Sequence, residues 1–173
     1  MRAEATRRRF VLDIAIAAGV APLALSVLDG TATALPRGEE TDAAILSAAL
    51  MIEHHAIALY AHGLADGLFP RGLRDYAVEF RGDHVGHRDT QVAILEERGA
   101  RAPEALRHDF PEARPGDAFI RQALEIEVAA QLAYTGLISQ IRTDDYLLSA
   151  GFILIDEVRH MTVWRRVLGL TIY

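Results

Sequence analysis

Six residues in this chain have the types and spacing of a metal site. His84 and His87 stand three apart in "GDHVGH", and Glu157 and His160 stand three apart in "IDEVRH". Positions i and i+3 of a helix share a face one turn apart, so each pair offers two donors to one point. Glu53 and Glu127 sit alone within apolar helical stripes. Ala49, Leu50, Ile57 and Tyr60 flank the first; Ile120, Ala123, Tyr134 and Ile138 flank the second. The two pairs continue stripes of their own, one through Leu73, Ala77, Phe80 and Ile94, the other through Ala150, Ile153, Trp164 and Leu168. All six candidates therefore point inward. Three carboxylates buried together without a counter-charge are strongly unfavourable. A divalent cation removes that penalty, and carboxylate plus imidazole suits iron, manganese or zinc. One Glu or His on an apolar stripe is ordinarily a hydrogen-bonded core residue; six of them in a symmetric pattern argue for a metal.

The symmetry is an internal repeat. Laying "MIEHHAIALYAHGL" over "EIEVAAQLAYTGLI" pairs Glu53 with Glu127 and Tyr60 with Tyr134, an offset of 74. Laying "GDHVGH" over "IDEVRH" pairs Asp83 with Asp156, His84 with Glu157 and His87 with His160, an offset of 73. Each half thus supplies a Glu from its first helix and a ligand-type residue, two spacers and a His from its second. Asp83 is an alternative to His84, because Asp83 and His87 are i,i+4 on one face. The alignment of His84 with Glu157 favours His84. Tyr60 and Tyr134 read as core aromatics, with a hydrogen bond to the Glu one or two turns away as a second option. His54, His55 and His62 lie off the stripe of Glu53 and read as surface or interhelix residues. Glu79, Glu96, Glu97 and Glu125 read as solvated.

Four helices must position these groups. Helical periodicity runs from Thr41 to Ala65, with Gly67 and Pro70 ending it. Pro70 suits the first turn of a second helix that stops at Gly99. Residues 100–116 hold three prolines and no clean period, and read as a long connection. A third helix is predicted from Asp117 to about Arg142. A fourth follows to about Gly169, with Thr143 as its N-cap and Asp144 and Asp145 in its first turn. No segment alternates convincingly enough for a strand. The reading is an all-α, antiparallel four-helix bundle with a long connection between helices 2 and 3.

The N-terminus stands apart. Arg7, Arg8 and Arg9 precede an apolar run from Phe10 to about Leu28, and Ala32-Thr33-Ala34 offers a small-residue cleavage site. "TRRRFVL" resembles the twin-arginine export signal. Residues 1–34 are read as that signal and 35–173 as the bundle, which makes the protein periplasmic or otherwise exported. An uncleaved signal segment would be its one membrane contact. The net charge of -6 argues against a nucleic-acid partner. The absence of Cys excludes disulfides, thiolate metal sites and cysteine nucleophiles.

With Glu, ligand-x-x-His, Glu, Glu-x-x-His in order along four helices, residues 41–168 resemble the ferritin-like di-metal carboxylate superfamily. "DEVRH" at 156–160 is the most specific local match. More narrowly, the chain looks like exported bacterial ferritin-like proteins related to desiccation-associated proteins. The resemblance implies a metal centre between the helices, iron first among the candidates. It also implies a di-metal oxidoreductase of ferroxidase- or peroxidase-like type, acting on oxygen, peroxide or ferrous iron. His84 departs from the family pattern, which has Glu there and uses it to bridge two metals. That departure suits two less tightly coupled metals, or one. A non-catalytic metal-binding or stress-protective bundle is the alternative, and a homodimer is left open.

Overall fold

The computed structural model describes residues 39–108, 110 and 114–172. The expected signal at 1–34 lies outside them. Among the described residues there are four α-helices and no strand: α1 Glu39–Ala65, α2 Arg74–Glu97, α3 Asp117–Ile138 and α4 Asp144–Val167. The sequence-based expectation of an all-α bundle with its long link between the second and third helices holds.

α1 and α2 pack as one hairpin and α3 and α4 as another. Across the hairpins, Tyr60 meets Glu127 while Tyr134 meets Glu53, so α1 and α3 run antiparallel. His160 meets Asp83 while His87 meets Asp156, so α2 and α4 do too. Besides a small cluster of Met51, Ile52, Ala130 and Ala133, the core has two large apolar clusters, one at each end of the bundle. Phe69, Phe80, Phe119 and Trp164 lie in one; Leu50, Leu95, Leu137 and Tyr146 lie in the other. Between the two large clusters the interior holds buried Glu and His residues. α1 is apolar enough along its length to pass for a membrane span. Its burial against both α2 and α3 accounts for that composition.

Element boundaries differ from the periodicity at three points. Pro70 does not open α2; it precedes a short 3-10 turn, Arg71–Leu73, and α2 begins at Arg74. The extended backbone at Pro70 (ψ 144°) turns the chain between helices. α3 stops at Ile138 rather than near Arg142. Leaving the helix there buries Ile141 and brings the amides of Arg142 and Thr143 to the carboxylate of Asp42. Thr143 is the N-cap residue of α4, but its side chain does not cap. Its hydroxyl donates to Asp42 instead, at 2.7 Å. Asp42, buried near the start of α1, thereby ties the entrance of α4 to the opposite hairpin.

One glycine is needed for approach. A Cβ on Gly63 would lie 2.1 Å from the Phe119 ring, so only Gly lets α1 come this close to the start of α3.

Candidate metal centre

Glu53, His84, Glu127, Glu157 and His160 are fully buried, and His87 nearly so. Their inward direction follows from helical period: each is one or two turns from large apolar residues that seal the bundle ends. The structure brings all six predicted residues to one place. They form two overlapping groups, Glu53, His84, His87 and Glu157, and His84, Glu127, Glu157 and His160. Within each group one donor atom per residue lies within 4.8 Å of the others, a set that could hold a metal ion. His84 and Glu157 belong to both groups. They are the repeat-related pair, one from each hairpin.

The imidazole of His84 spans the two groups. Its Nδ1 is 2.8 Å from Glu53 Oε2 and 3.5 Å from Glu157 Oε1; its Nε2 is 3.5 Å from Glu127 Oε1. His87 and His160 turn their Nδ1 atoms inward. His87 Nδ1 lies 3.3 Å from Glu157 Oε1 and 3.5 Å from Glu53 Oε2, and His160 Nδ1 lies 3.4 Å from Glu127 Oε2. Their Nε2 atoms point outward to the aspartates. His160 Nε2 is 3.0 Å from Asp83, and His87 Nε2 is 3.3 Å from Asp156. Asp83 therefore stands outside both groups, as does its repeat partner Asp156. Arg159 adds 2.7 Å and 2.5 Å bonds to Glu79 and Asp83.

Two tyrosines hold the terminal glutamates. Tyr60 donates to Glu127 and receives the Trp164 indole N–H at 2.6 Å. Tyr134 donates to Glu53 at 2.5 Å and receives the Gln91 amide. Both tyrosines are buried core aromatics, as expected; each serves the glutamate of the other hairpin, which corrects only the second option of a bond to the Glu one or two turns away. Gln91 carries no sequence signal of its own and Trp164 reads only as part of an apolar stripe, yet they too are 73 apart. The second repeat offset was the signal that could have found them. His54, His55 and His62 face away, as expected. They are half-buried beneath the long connection, where His55 Nδ1 lies 2.9 Å from His108 Nδ1 and His54 Nε2 lies 3.3 Å from the Pro103 carbonyl.

Electrostatics and unpartnered atoms decide whether these residues suit a metal. Burial alone raises the Glu53 carboxyl, but the adjacent His84 and His87 outweigh it and bring it down to about 2. Glu127 is likewise held below the carboxylate range, by His84 and His160 against the effect of burial. Burial pushes Glu157 up, and repulsion from Glu53 and Glu127 adds to it. Burial opposes a charge on His84 and His87, yet the surrounding carboxylates hold His84 well above its ordinary range and His87 at about 10. Protons thus do the neutralising that a cation would otherwise do. Even so, His87 Nδ1, His160 Nδ1, Glu127 Oε2 and both oxygens of Glu157 are buried without a hydrogen-bond partner. Such orphaned atoms are costly. All five belong to the two donor groups, and metal coordination would satisfy each of them. The donor set fits a divalent cation.

The chain has no match among curated proteins. It is similar to the crystal structure of a conserved hypothetical protein from Mycobacterium tuberculosis. The TM-score is 0.69 at 26% sequence identity, covering 76% of this chain and 99% of that one. Residues 41–170 match the family model of the ferritin-like domain, and the chain belongs to that family.

Proposed function

We propose that this is an exported metal-binding protein of the desiccation-related branch, whose centre holds two divalent metals, iron foremost, and acts on dioxygen, peroxide or ferrous iron. The observation that carries the reading is the pair of overlapping donor groups sharing His84 and Glu157. Glu53 with His87, and Glu127 with His160, would complete the two positions. A bound pair of redox metals supplies electrons to an oxygen substrate. The chain's own residues prepare the site for it. Asp83 and Asp156 accept from Nε2 of His160 and His87, leaving each Nδ1 lone pair directed inward. Tyr60 and Tyr134 keep one oxygen of Glu127 and Glu53 occupied, which fixes those carboxylates in rotation. The aromatic residues of one end cluster, Phe80 and Trp164 among them, limit water. Residues 1–34 would direct export by the twin-arginine route.

A second reading rests on His84. A neutral imidazole offers one lone pair, so it cannot bridge two cations as a carboxylate does. Glu157 is then the one carboxylate within reach of both positions. This favours unequal occupancy, and at its limit a mononuclear, non-catalytic centre. Elemental analysis of protein from its native compartment, with anaerobic ferrous titration followed by oxygen, tests both. Two iron per chain and a ferric absorbance rise support the first reading. One metal without oxygen-dependent oxidation selects the second. Protein that takes up no iron, manganese or zinc sinks both.

A further inference from the structure

The outward face of α4 is not that of a solvated helix. Leu148, Phe152 and Ile155 are 61%, 61% and 64% exposed, and Val158 is exposed beside them. They lie opposite the stripe of Ile153, Glu157, His160 and Trp164 that faces the centre. Gly151 leaves open space among them, making a shallow apolar depression bounded by Asp144 and Asp145. A contiguous exposed apolar run on a soluble helix marks a contact surface.

The charges on this face say what covers it. Asp144 and Asp145 lie at its N-terminal end and Arg166 at its C-terminal end, all exposed. A second α4 laid antiparallel, with Ile155 on the twofold axis, pairs Phe152 with Val158, Leu148 with Thr162 and Asp144 with Arg166. These pairs are compatible, Arg159 on the same face falls opposite Gly151 with its guanidinium already held by Glu79 and Asp83, and the two helix dipoles oppose. A parallel copy would set acid on acid and base on base. The face is complementary to itself in one orientation, which is the condition for an isologous dimer. We infer that α4 is the interface of a homodimer in which two copies pack antiparallel about Ile155, placing the two metal centres on either side of one helix pair.

The natural chain has no Cys, so single introduced thiols report on it cleanly. Full-length Ile155→Cys should form a disulfide-linked dimer rapidly under mild oxidation, because the residue on the axis meets its own copy. Leu148→Cys alone should not, whereas Leu148→Cys mixed with Thr162→Cys should give the heterodimer. In sedimentation equilibrium, Asp144→Arg and Arg166→Asp should each weaken association several-fold, and the double reversal should restore it. Circular dichroism would verify that each exposed-site variant keeps its helix content. A monomer at all concentrations overturns the inference, as does cross-linking no faster at position 155 than at 148. A charge reversal that the double variant fails to rescue overturns it too. Protection of the 155 thiol in a monomer would show instead that residues 10–28 of the same chain cover the face.

Discussion

At the residue scale the centre depends on which atom fills each position. His84 occupies a place where Glu would match its repeat partner Glu157. His84→Glu adds an anion within reach of both donor groups, so iron per chain should rise and ferrous oxidation should quicken; elemental analysis and absorbance under oxygen read both. His87→Ala and His160→Ala each remove an inward donor and should lower metal affinity by roughly 10-fold or more. Asp83→Asn and Asp156→Asn, which act through those histidines, belong in the range of about 10- to 100-fold. Protonation sets the pH dependence. His87 is raised from 6.5 to about 10, so its stabilisation of the metal-free protein is complete below pH 6.5 and is lost as pH rises through 10. Glu53 is lowered from 4.5 to about 2, so its contribution is present above pH 4.5 and lost as pH falls through 2. Glu157, raised by burial, works in the same direction as His87 at high pH. Denaturant titration of chelator-treated protein should therefore show a stability maximum between those two windows. Metal must displace the proton on His87, so its affinity should climb as pH rises from 6.5 toward 10, with proton release measurable by calorimetry in buffers of different ionisation enthalpy.

At the element scale, two small features hold the helices in the register that the centre needs. Asp42 accepts from the amides of Arg142 and Thr143 and from the Thr143 hydroxyl. Asp42→Ala leaves those groups buried against α1 and should cost about 1–3 kcal/mol by thermal or chemical unfolding. Gly63→Ala forces a methyl into Phe119 and should cost a similar ~1–3 kcal/mol, with α1 displaced from α3. That displacement would move Glu53 and Tyr60 together, so a drop in metal content should accompany the loss of stability. The periodicity of apolar residues located all four helices. Their ends were less legible, because Ile141 and Asp42 draw the chain out of helix through contacts about a hundred residues apart in sequence.

At the scale of the whole molecule, the bundle joins two repeats whose polar groups interlock. Tyr60 and Tyr134 cross between hairpins, and Asp83 and Asp156 do the same, so neither hairpin completes its own half of the site. Export also concerns the whole chain. With Arg7 and Arg8, or Arg8 and Arg9, replaced by Lys, precursor should accumulate in the cytoplasm; fractionation and immunoblotting would show it, and unchanged export of both variants would refute the twin-arginine route.

The sequence by itself determined the fold class, the repeat and the inward direction of the six candidate residues. Those properties follow from helical period, a local rule that needs no partner. It favoured His84 over Asp83 through the repeat, but could not show what Asp83 does instead, since both share a face with His87; only the packing of α2 against α4 sends Asp83 to His160 Nε2 and places the His84 ring between Glu53 and Glu127. Nor could it show that each tyrosine serves the opposite hairpin. That choice depends on which residues stand level across antiparallel helices, which is set by the relative shift of one helix along another. The same shift brings Gln91 and Trp164 to their tyrosines, and no spacing within a single helix encodes it.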